Sequence, residues 1–245
     1  MPSENGDDAL DFFNLEIPLP KEGAKIFQSS RDDDWSYGAS VHIPGTNRWD
    51  AYALGFKQLA DSGVEAVGER RNRRVTIYPD AIVFAVMFNY RQYLEVRMKG
   101  LILAAEQLLD VGATAPPFGH DLAALWRRLR PLLEKIWPGA DYLDTIETQT
   151  AEFASVDPGG EAFRYPVDRA GKPNLTGVRG INLMHVKEII DGIDSILDGS
   201  DTGIYEMLQS KYEMQAEWRS EAAAYEEHYD EGDYYNGDDN YHGES

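Results

Sequence analysis

The chain has 245 residues, of which 42% are hydrophobic and 11% aromatic, so a packed core is possible and a wholly disordered chain is excluded. It contains no cysteine, which excludes disulfides, cysteine nucleophiles and cysteine-ligated zinc. The net charge of −20 is concentrated at the ends, with −6 in residues 1–35 and −9 in residues 221–245, so residues 36–220 are nearly balanced.

No run of apolar residues reaches the roughly 18 residues that a membrane-spanning helix needs. The longest candidate is interrupted by Asn89, Arg91 and Glu95. The N-terminal sequence MPSENGDD also lacks the basic and then apolar pattern of a signal peptide. We therefore expect a cytoplasmic protein without a membrane-embedded segment.

The two acidic ends differ in composition from the middle of the chain. Residues 1–45 combine short apolar pieces with Pro, Gly and three consecutive aspartates at 32–34, which predicts an irregular acidic arm. Residues 221–245 contain acids, Gly, Asn and Tyr but almost no aliphatic side chains. They cannot bury enough apolar surface to offset the entropy lost on ordering, so we expect a disordered acidic tail.

Helical periodicity dominates residues 46–220. The sequence WDAYALGFKQLADSG predicts a first helix that ends at Gly63 as its C-cap. Pro79 opens the longest periodic segment, which runs to Gly112, and Pro is favourable at the first position of a helix. Asp121 is placed to cap the next helix, in which Pro131 predicts a kink or a break.

Three further helices are predicted in the second half of this region. Residues 140–156 form the first, and residues 178–197 and 202–225 form two separate amphipathic helices after a loop at 157–177. Strand patterns are weak throughout. We therefore predict an all-α fold, with one antiparallel helical bundle at 46–220 between the arm at 1–45 and the tail at 221–245.

A charged group interrupts the apolar stripe of the longest helix. Arg91 and Glu95 are four residues apart, as are Glu95 and Lys99, so the three side chains can form a ladder along one helix face. Charges at the edge of a core-facing stripe cost desolvation energy unless they are paired. Two interpretations follow: a structural ion pair between helices, or the wall of a polar site.

His120 precedes Asp121 at the predicted start of a helix. The helix dipole disfavours a cationic imidazole at this end, which keeps the ring neutral and able to act as a base. The alternative is an ordinary surface or capping residue.

Basic residues cluster in two places within the middle region. The run GERRNRR contains Arg70, Arg71, Arg73 and Arg74, and WRRLR contains Arg127, Arg128 and Arg130. With nearby aromatic residues, such clusters can follow a phosphate backbone. They can equally pair with the acidic ends of the same chain, and we hypothesise that the tail at 221–245 competes with nucleic acid for the first cluster.

Three stretches together resemble the HEPN superfamily: YRQYLEVRMKG on the long helix, GHDLAALW at the start of the next helix, and FRYPVDRAGKPNL before a late helix. More narrowly, the chain is similar to bacterial proteins that combine a Glu-x-x-x-Lys helix, here Glu95 to Lys99, with a His-Asp-Leu motif, here residues 120–122. The resemblance covers residues 76–200. It implies a bundle of four or five helices that is frequently a homodimer.

The resemblance also implies a function. Many HEPN proteins are metal-independent ribonucleases of toxin–antitoxin, CRISPR-associated or anti-phage systems, and others bind RNA or nucleotides without catalysis. Catalytic members carry an Arg followed after four to six residues by a His, with the pair composed across a dimer interface. In this chemistry the Arg holds the scissile phosphate and the His moves the proton of the 2′-hydroxyl group, without a metal.

Two candidate catalytic sites result. The first is the pair Arg179 and His185, which has the spacing that the resemblance implies, although Gly180 replaces the polar residue that often follows the Arg. Six positions turn a helix by about 600°, so these side chains share a face only if Arg179 belongs to an irregular entry turn. The second site combines Arg91 and Glu95 with His120 as the base.

We therefore expect an HEPN-like RNA-binding protein of a bacterial defence or toxin-type system, with endoribonuclease activity if one of these sites is assembled. No cofactor and no metal-ligand set are predicted. The expected partners are RNA and, through the acidic ends, a protein. The alternatives are a catalytically inactive helical interaction module and an acidic antitoxin-like inhibitor that mimics nucleic acid.

Overall fold

The computed structural model describes residue 20 and residues 22–27, 35–41, 48–69, 77–112 and 119–233, with the backbone alone at 35 and from 227 to 233. The chain divides into two compact units, Met1–Gly45 and Thr46–Ser245. The described part of the first unit contains one short 3-10 helix, Trp35–Tyr37, and its described side chains are exposed.

Five α-helices make up most of the described part of the second unit. They are α1 (Arg48–Gly68), α2 (Pro79–Leu108), α3 (Leu122–Ile136), α4 (Tyr142–Val156) and α5 (Leu183–Asp233). The described residues contain no β-strand, and the loop between α4 and α5 holds one isolated β-bridge, between Val167 and Pro173. The all-α prediction is therefore confirmed for the part of the chain that the structure describes.

The helix α2 is the central element of this unit. It packs against α1, α3 and α5, while α3 packs against α4. Between Val86 and Glu106 it is buried on almost every side, and five of its buried residues are polar or charged: Asn89, Arg91, Glu95, Arg97 and Glu106. A helix that is buried all round needs a partner for each of these polar groups.

Two predicted helix starts are confirmed. Pro79 occupies the first turn of α2, where its missing N–H group costs no hydrogen bond. Asp121 caps α3, because its Oδ1 accepts hydrogen bonds from the backbone N–H groups of Ala123 at 2.9 Å and Ala124 at 3.2 Å. The sequence signals at both positions are local, so they do not depend on which helices pack together.

The predicted break at Pro131 is absent, since α3 runs unbroken from Leu122 to Ile136. Proline removes the hydrogen bond that its own N–H group would donate to the carbonyl group of residue 127. Pro131 and Arg127 are both exposed, so water can reach this carbonyl group. The helix therefore tolerates the proline on its solvent side.

Gly63 does not end α1, which continues to Gly68. A Cβ atom at Gly63 would lie 2.8 Å from Cγ2 of Val86 on α2. The glycine therefore allows α1 and α2 to approach closely, and the prediction of a C-cap was wrong.

The two late helices that the sequence predicts are a single helix, α5, of 51 residues. The expected break at residues 198–201 is bridged by contacts with the central helix. Arg97 of α2 lies 3.2 Å from a carboxylate oxygen of Asp198 and 3.5 Å from one of Asp201. The hydroxyl group of Ser200 donates to the carbonyl oxygen of Ile196 at 2.8 Å, inside the helix. These contacts hold a polar, glycine-containing stretch in helical conformation.

The helix α5 extends beyond the core of the second unit. At 1.5 Å per residue its length is about 76 Å, and every side chain from 212 to 226 is exposed. The backbone is helical over 221–233, where the sequence predicted disorder, and residues 234–245 lie outside the described residues. Neither α5 nor any other described helix is long and apolar enough to cross a bilayer.

Gly63→Ala should lower the free energy of unfolding by about 1–3 kcal/mol, because the added methyl group would overlap Val86. Gly55 is the matched control, since an added Cβ on the same helix would have no atom within 4 Å. Gly55→Ala should raise the free energy of unfolding by about 0.5–1 kcal/mol. Urea titration followed by circular dichroism measures both, and similar effects of the two substitutions would contradict the close contact of α1 and α2.

Candidate functional site

The guanidinium group of Arg91 is completely buried at the centre of the second unit. Its Nη1 lies 2.8 Å from Oε2 of Glu95 on the same helix. Its Nη2 donates to the backbone carbonyl oxygen of His120, just before α3. Its Nε donates to the backbone carbonyl oxygen of Asp157 at 3.3 Å, directly after α4. Arg91 therefore joins α2 to the start of α3 and the end of α4.

The segment after α4 is shaped to fit this guanidinium group. Oδ2 of Asp157 is buried and makes no hydrogen bond, but it lies 3.3 Å from Nε of Arg91, and Oδ1 accepts from the N–H group of Ala162 at 2.9 Å. Gly160 has φ +77°, and a Cβ atom there would lie only 2.7 Å from Nη1 of Arg91. Glycine is therefore required at this position, both by the backbone conformation and by the space.

Glu95 is the second member of this buried group. Its side chain is 4% exposed. Burial alone would raise the pKa of Glu95, but hydrogen bonds from Lys99, Arg91 and His120 outweigh burial and place the pKa below its ordinary value. Glu95 is therefore a carboxylate whose charge is balanced from three sides. The predicted ladder of Arg91, Glu95 and Lys99 is present, with Nζ of Lys99 2.8 Å from Oε1 of Glu95.

The structure brings the predicted residues Arg91, Glu95 and His120 together. Nδ1 of His120 lies 2.9 Å from Oε1 of Glu95, and the imidazole side chain is 69% exposed. In contrast, all three nitrogens of the Arg91 guanidinium group are engaged by protein oxygens, and the side chain has no exposed surface. No phosphate group can reach Arg91 in this arrangement, so its geometry is that of a structural residue.

The two residues of the other predicted pair, Arg179 and His185, line two different clefts. Arg179 lies in the irregular segment before α5 and lines a large cleft. His185 lies in the first turn of α5 and lines a smaller cleft of about 410 Å³ with residues of α4. The side chain of His185 is 67% exposed, and its Nδ1 is 4.0 Å from a carboxylate oxygen of Glu188. No residue lines both clefts.

The large cleft has a volume of about 880 Å³ and was not predicted from the sequence. Its walls are the end of α1, the start of α2, the loop at 162–182 and the start of α5. Leu175, one of the lining residues, has φ +59°, a conformation that non-glycine residues rarely adopt. Strained backbone of this kind is typical of functional loops. The only signal in the sequence was the long loop between two helices.

The electrostatics of this cleft favour an anion. Arg164 and Arg179 are exposed on its walls, and neither forms an ion pair with another described residue. The N-terminal turns of α2 and α5 also line it, and the partial positive charge at a helix N-terminus attracts anions. Asp80 in the first turn of α2 opposes this effect at one point of the wall.

Aromatic rings accompany Arg164. The guanidinium carbon of Arg164 lies 5.7 Å from the ring centre of Phe88 and 5.0 Å from that of Tyr165. These distances are within the range of cation–π contacts, which hold the guanidinium group without neutralising it. Phe84 and Tyr165 line the cleft with 47% and 50% of their surface exposed. The cleft therefore offers both cationic groups and aromatic rings that are about half exposed.

Of the two predicted basic clusters, the structure describes only the second. Residues 70–76, which contain the first cluster, lie outside the described residues. In the second cluster, Arg128 binds Glu106, and Arg130 contacts three acids: Glu134, Asp144 and Glu147. Two of its three arginines are therefore neutralised within the protein, and only Arg127 is left exposed on α3 without an ion pair to a described residue.

No group of three or more metal-ligating side chains occurs among the described residues. No family model matches the chain, and neither a curated protein nor a solved structure shows significant similarity to it.

Arg91→Ala should reduce the free energy of unfolding by about 3–5 kcal/mol, because Glu95 and Asp157 would stay buried without their cation. Arg127→Ala is the control, since it removes the same charge from an exposed position of α3 and should change the free energy of unfolding by less than about 0.5 kcal/mol. Chemical denaturation of both variants provides the measurement. A loss below about 1 kcal/mol for Arg91→Ala would contradict its role in joining the helices.

Proposed function

We propose that this chain binds single-stranded RNA in the large cleft of the second unit. The observation that carries the proposal is the presence of two exposed arginines, Arg164 and Arg179, that have no ion-pair partner among the described residues and share one concave surface. An exposed arginine can bind a phosphate group with two parallel hydrogen bonds. Two of them in one cleft favour an anionic ligand over a neutral one.

The size and the aromatic lining of the cleft support a single strand. A volume of about 880 Å³ is typical of sites for small molecules and one or two nucleotides. The exposed rings of Phe84 and Tyr165 provide surfaces on which unpaired bases can stack. The bases of a duplex are already stacked on one another, so these rings favour a single strand.

The net charge of −20 does not oppose this proposal, because the acidic excess is far from evenly distributed. Most of it belongs to residues 1–35 and 221–245. Local charge at the binding surface matters more for a polyanion than the net charge of the whole chain.

Arg164→Ala and Arg179→Ala should each weaken RNA binding by about tenfold, because each removes a charged hydrogen bond to phosphate. The slope of log Kd against log salt concentration should fall by about 0.7 for each. Fluorescence anisotropy with a labelled single-stranded RNA measures both effects. The matched control is Arg169→Ala, which removes an arginine that lies on the same loop, does not line the cleft and is paired with Glu161.

Arg169→Ala should change the affinity less than twofold, because an exposed ion pair on the surface contributes little. Equal effects of all three substitutions would indicate a diffuse attraction of RNA to the surface rather than binding in the cleft. Absence of RNA binding by the wild type would favour the alternative of a helical interaction module.

Endoribonuclease activity, the HEPN relationship and a role in bacterial defence stay predictions. Incubation of end-labelled RNA with the protein in excess EDTA tests the catalytic part. Formation of a cyclic phosphate that is lost in His120→Ala or in His185→Ala would identify the active histidine, since either could act as the base. Binding without cleavage by any variant would leave the protein as a non-catalytic RNA-binding module.

A further inference from the structure

The helix α5 continues well beyond the point where its partner helix α2 ends. Among the described residues, the last hydrogen bonds between the two helices lie at Lys211 and Tyr212. Nζ of Lys211 donates to the carbonyl oxygens of Gln107 and Leu108 at 3.2 Å and 3.0 Å, and the side-chain amide of Gln107 donates to the hydroxyl group of Tyr212. Every side chain at 212–226 is exposed. We call residues 212–226 the α5 extension.

The α5 extension continues the apolar face of the buried part of the helix. Ile204 is fully buried in the core, and steps of seven residues lead from it to Lys211, Trp218 and Tyr225. Each such step changes the direction of a side chain by only about 20°. Trp218 and Tyr225 are nevertheless 71% and 72% exposed, and Met214, one turn before Trp218, is exposed as well. The core-facing side of α5 therefore continues as an apolar stripe that no described residue covers.

One edge of this apolar stripe is acidic. Glu213, Glu217 and Glu221 follow one another at intervals of four residues, and none of them forms an ion pair with a described residue. With Glu226 and the single base Arg219, the α5 extension has four acids and one base, a net charge of −3. Like charges four residues apart on a helix repel each other. The acidic row therefore lowers the stability of the free helix, and a cationic partner would relieve the repulsion.

We propose that the α5 extension is the docking site for a basic amphipathic helix of a partner protein. Apolar side chains at intervals of three, four and seven residues match the apolar face of a second helix. Lys or Arg beside that face would lie against the acidic row, and exposed aromatic rings also attract ammonium and guanidinium groups. A second copy of the α5 extension would instead bring another charge of −3 against the first.

The docking site is separate from the large cleft. Met184 lines the cleft, and Trp218 lies 34 positions further along the same helix. At 1.5 Å per residue this is about 51 Å. The docking proposal therefore does not depend on RNA binding in the cleft.

The experiment measures binding of a fluorescein-labelled synthetic helix to the full-length protein by fluorescence anisotropy. The peptide is about three heptads long, with Leu at the first and fourth positions of each heptad and Lys at the positions beside them. One comparison peptide has Glu in place of Lys, and another has the same composition in a scrambled order without the heptad period. We expect the basic peptide to bind at least about tenfold more tightly than either, because it alone has both the apolar face and the opposite charge. Equal binding of either comparison peptide, or no binding of the basic one, would overturn the proposal.

Trp218→Ala tests the apolar stripe. It should weaken binding of the basic peptide by about thirtyfold, because a central aromatic side chain contributes most to an interface of this kind. Tyr205→Ala is the matched control, since Tyr205 is also exposed, at 62%, but points about 140° away from Trp218 around the helix. The control should change the affinity less than about twofold. Equal losses in the two variants would contradict docking on the stripe.

Glu217→Lys tests the acidic row. It should weaken binding of the basic peptide by about fivefold and reduce its dependence on salt. Glu152→Lys makes the same change of charge at an exposed position of α4, so it should have less than about half of that effect. Equal effects would indicate a diffuse attraction to an acidic protein and overturn the proposal.

Sedimentation velocity of the protein without peptide tests the other occupant of the stripe. We expect a monomer, or an oligomer that is unchanged in Trp218→Ala. A dimer that dissociates in Trp218→Ala would show that a second copy of the chain covers the stripe, and would overturn the proposal of a basic partner.

Discussion

The buried guanidinium group of Arg91 is the interaction on which the second unit depends. A fully buried charge is tolerated only when oxygen atoms surround it, and here these come from three places in the chain: Glu95 on α2, the carbonyl group of His120 before α3 and the residue Asp157 after α4. No apolar residue could replace these directional contacts. Arg91 thereby fixes the chain on both sides of the α3–α4 hairpin relative to the central helix.

This arrangement has a buried inner side and an exposed outer side. The inner side of the group consists of Arg91 and Asp157, which are buried and have contacts only within the protein. The outer side carries His120, whose ring is held by the same Glu95 but faces solvent. The loop that begins at Asp157 continues into one wall of the large cleft. A single buried ion cluster therefore holds the start of the loop that forms one wall of the cleft.

The positions of the charged side chains say more about what this protein can bind than its net charge does. Acidic side chains dominate the two ends of the sequence, and many of the acids in the helical unit are used in ion pairs, such as those that surround Arg97 and Arg130. Arg164 of the cleft is different, because contacts with aromatic rings rather than an ion pair hold its side chain. Arg164 rests on Phe88 and Tyr165 and keeps its full positive charge.

The sequence by itself determined the features that depend on neighbours along the chain: the all-α class, the starts of α2 at Pro79 and of α3 at Asp121, and the ladder from Arg91 to Lys99. Helix geometry fixes these relations within one or two turns. Only the tertiary structure decided that Gly63 is a contact point rather than a helix end, that α5 is one helix, and that Asp157 completes the partners of Arg91. Each of these depends on a residue from another helix or loop, and the sequence pattern does not specify which distant residue will be adjacent.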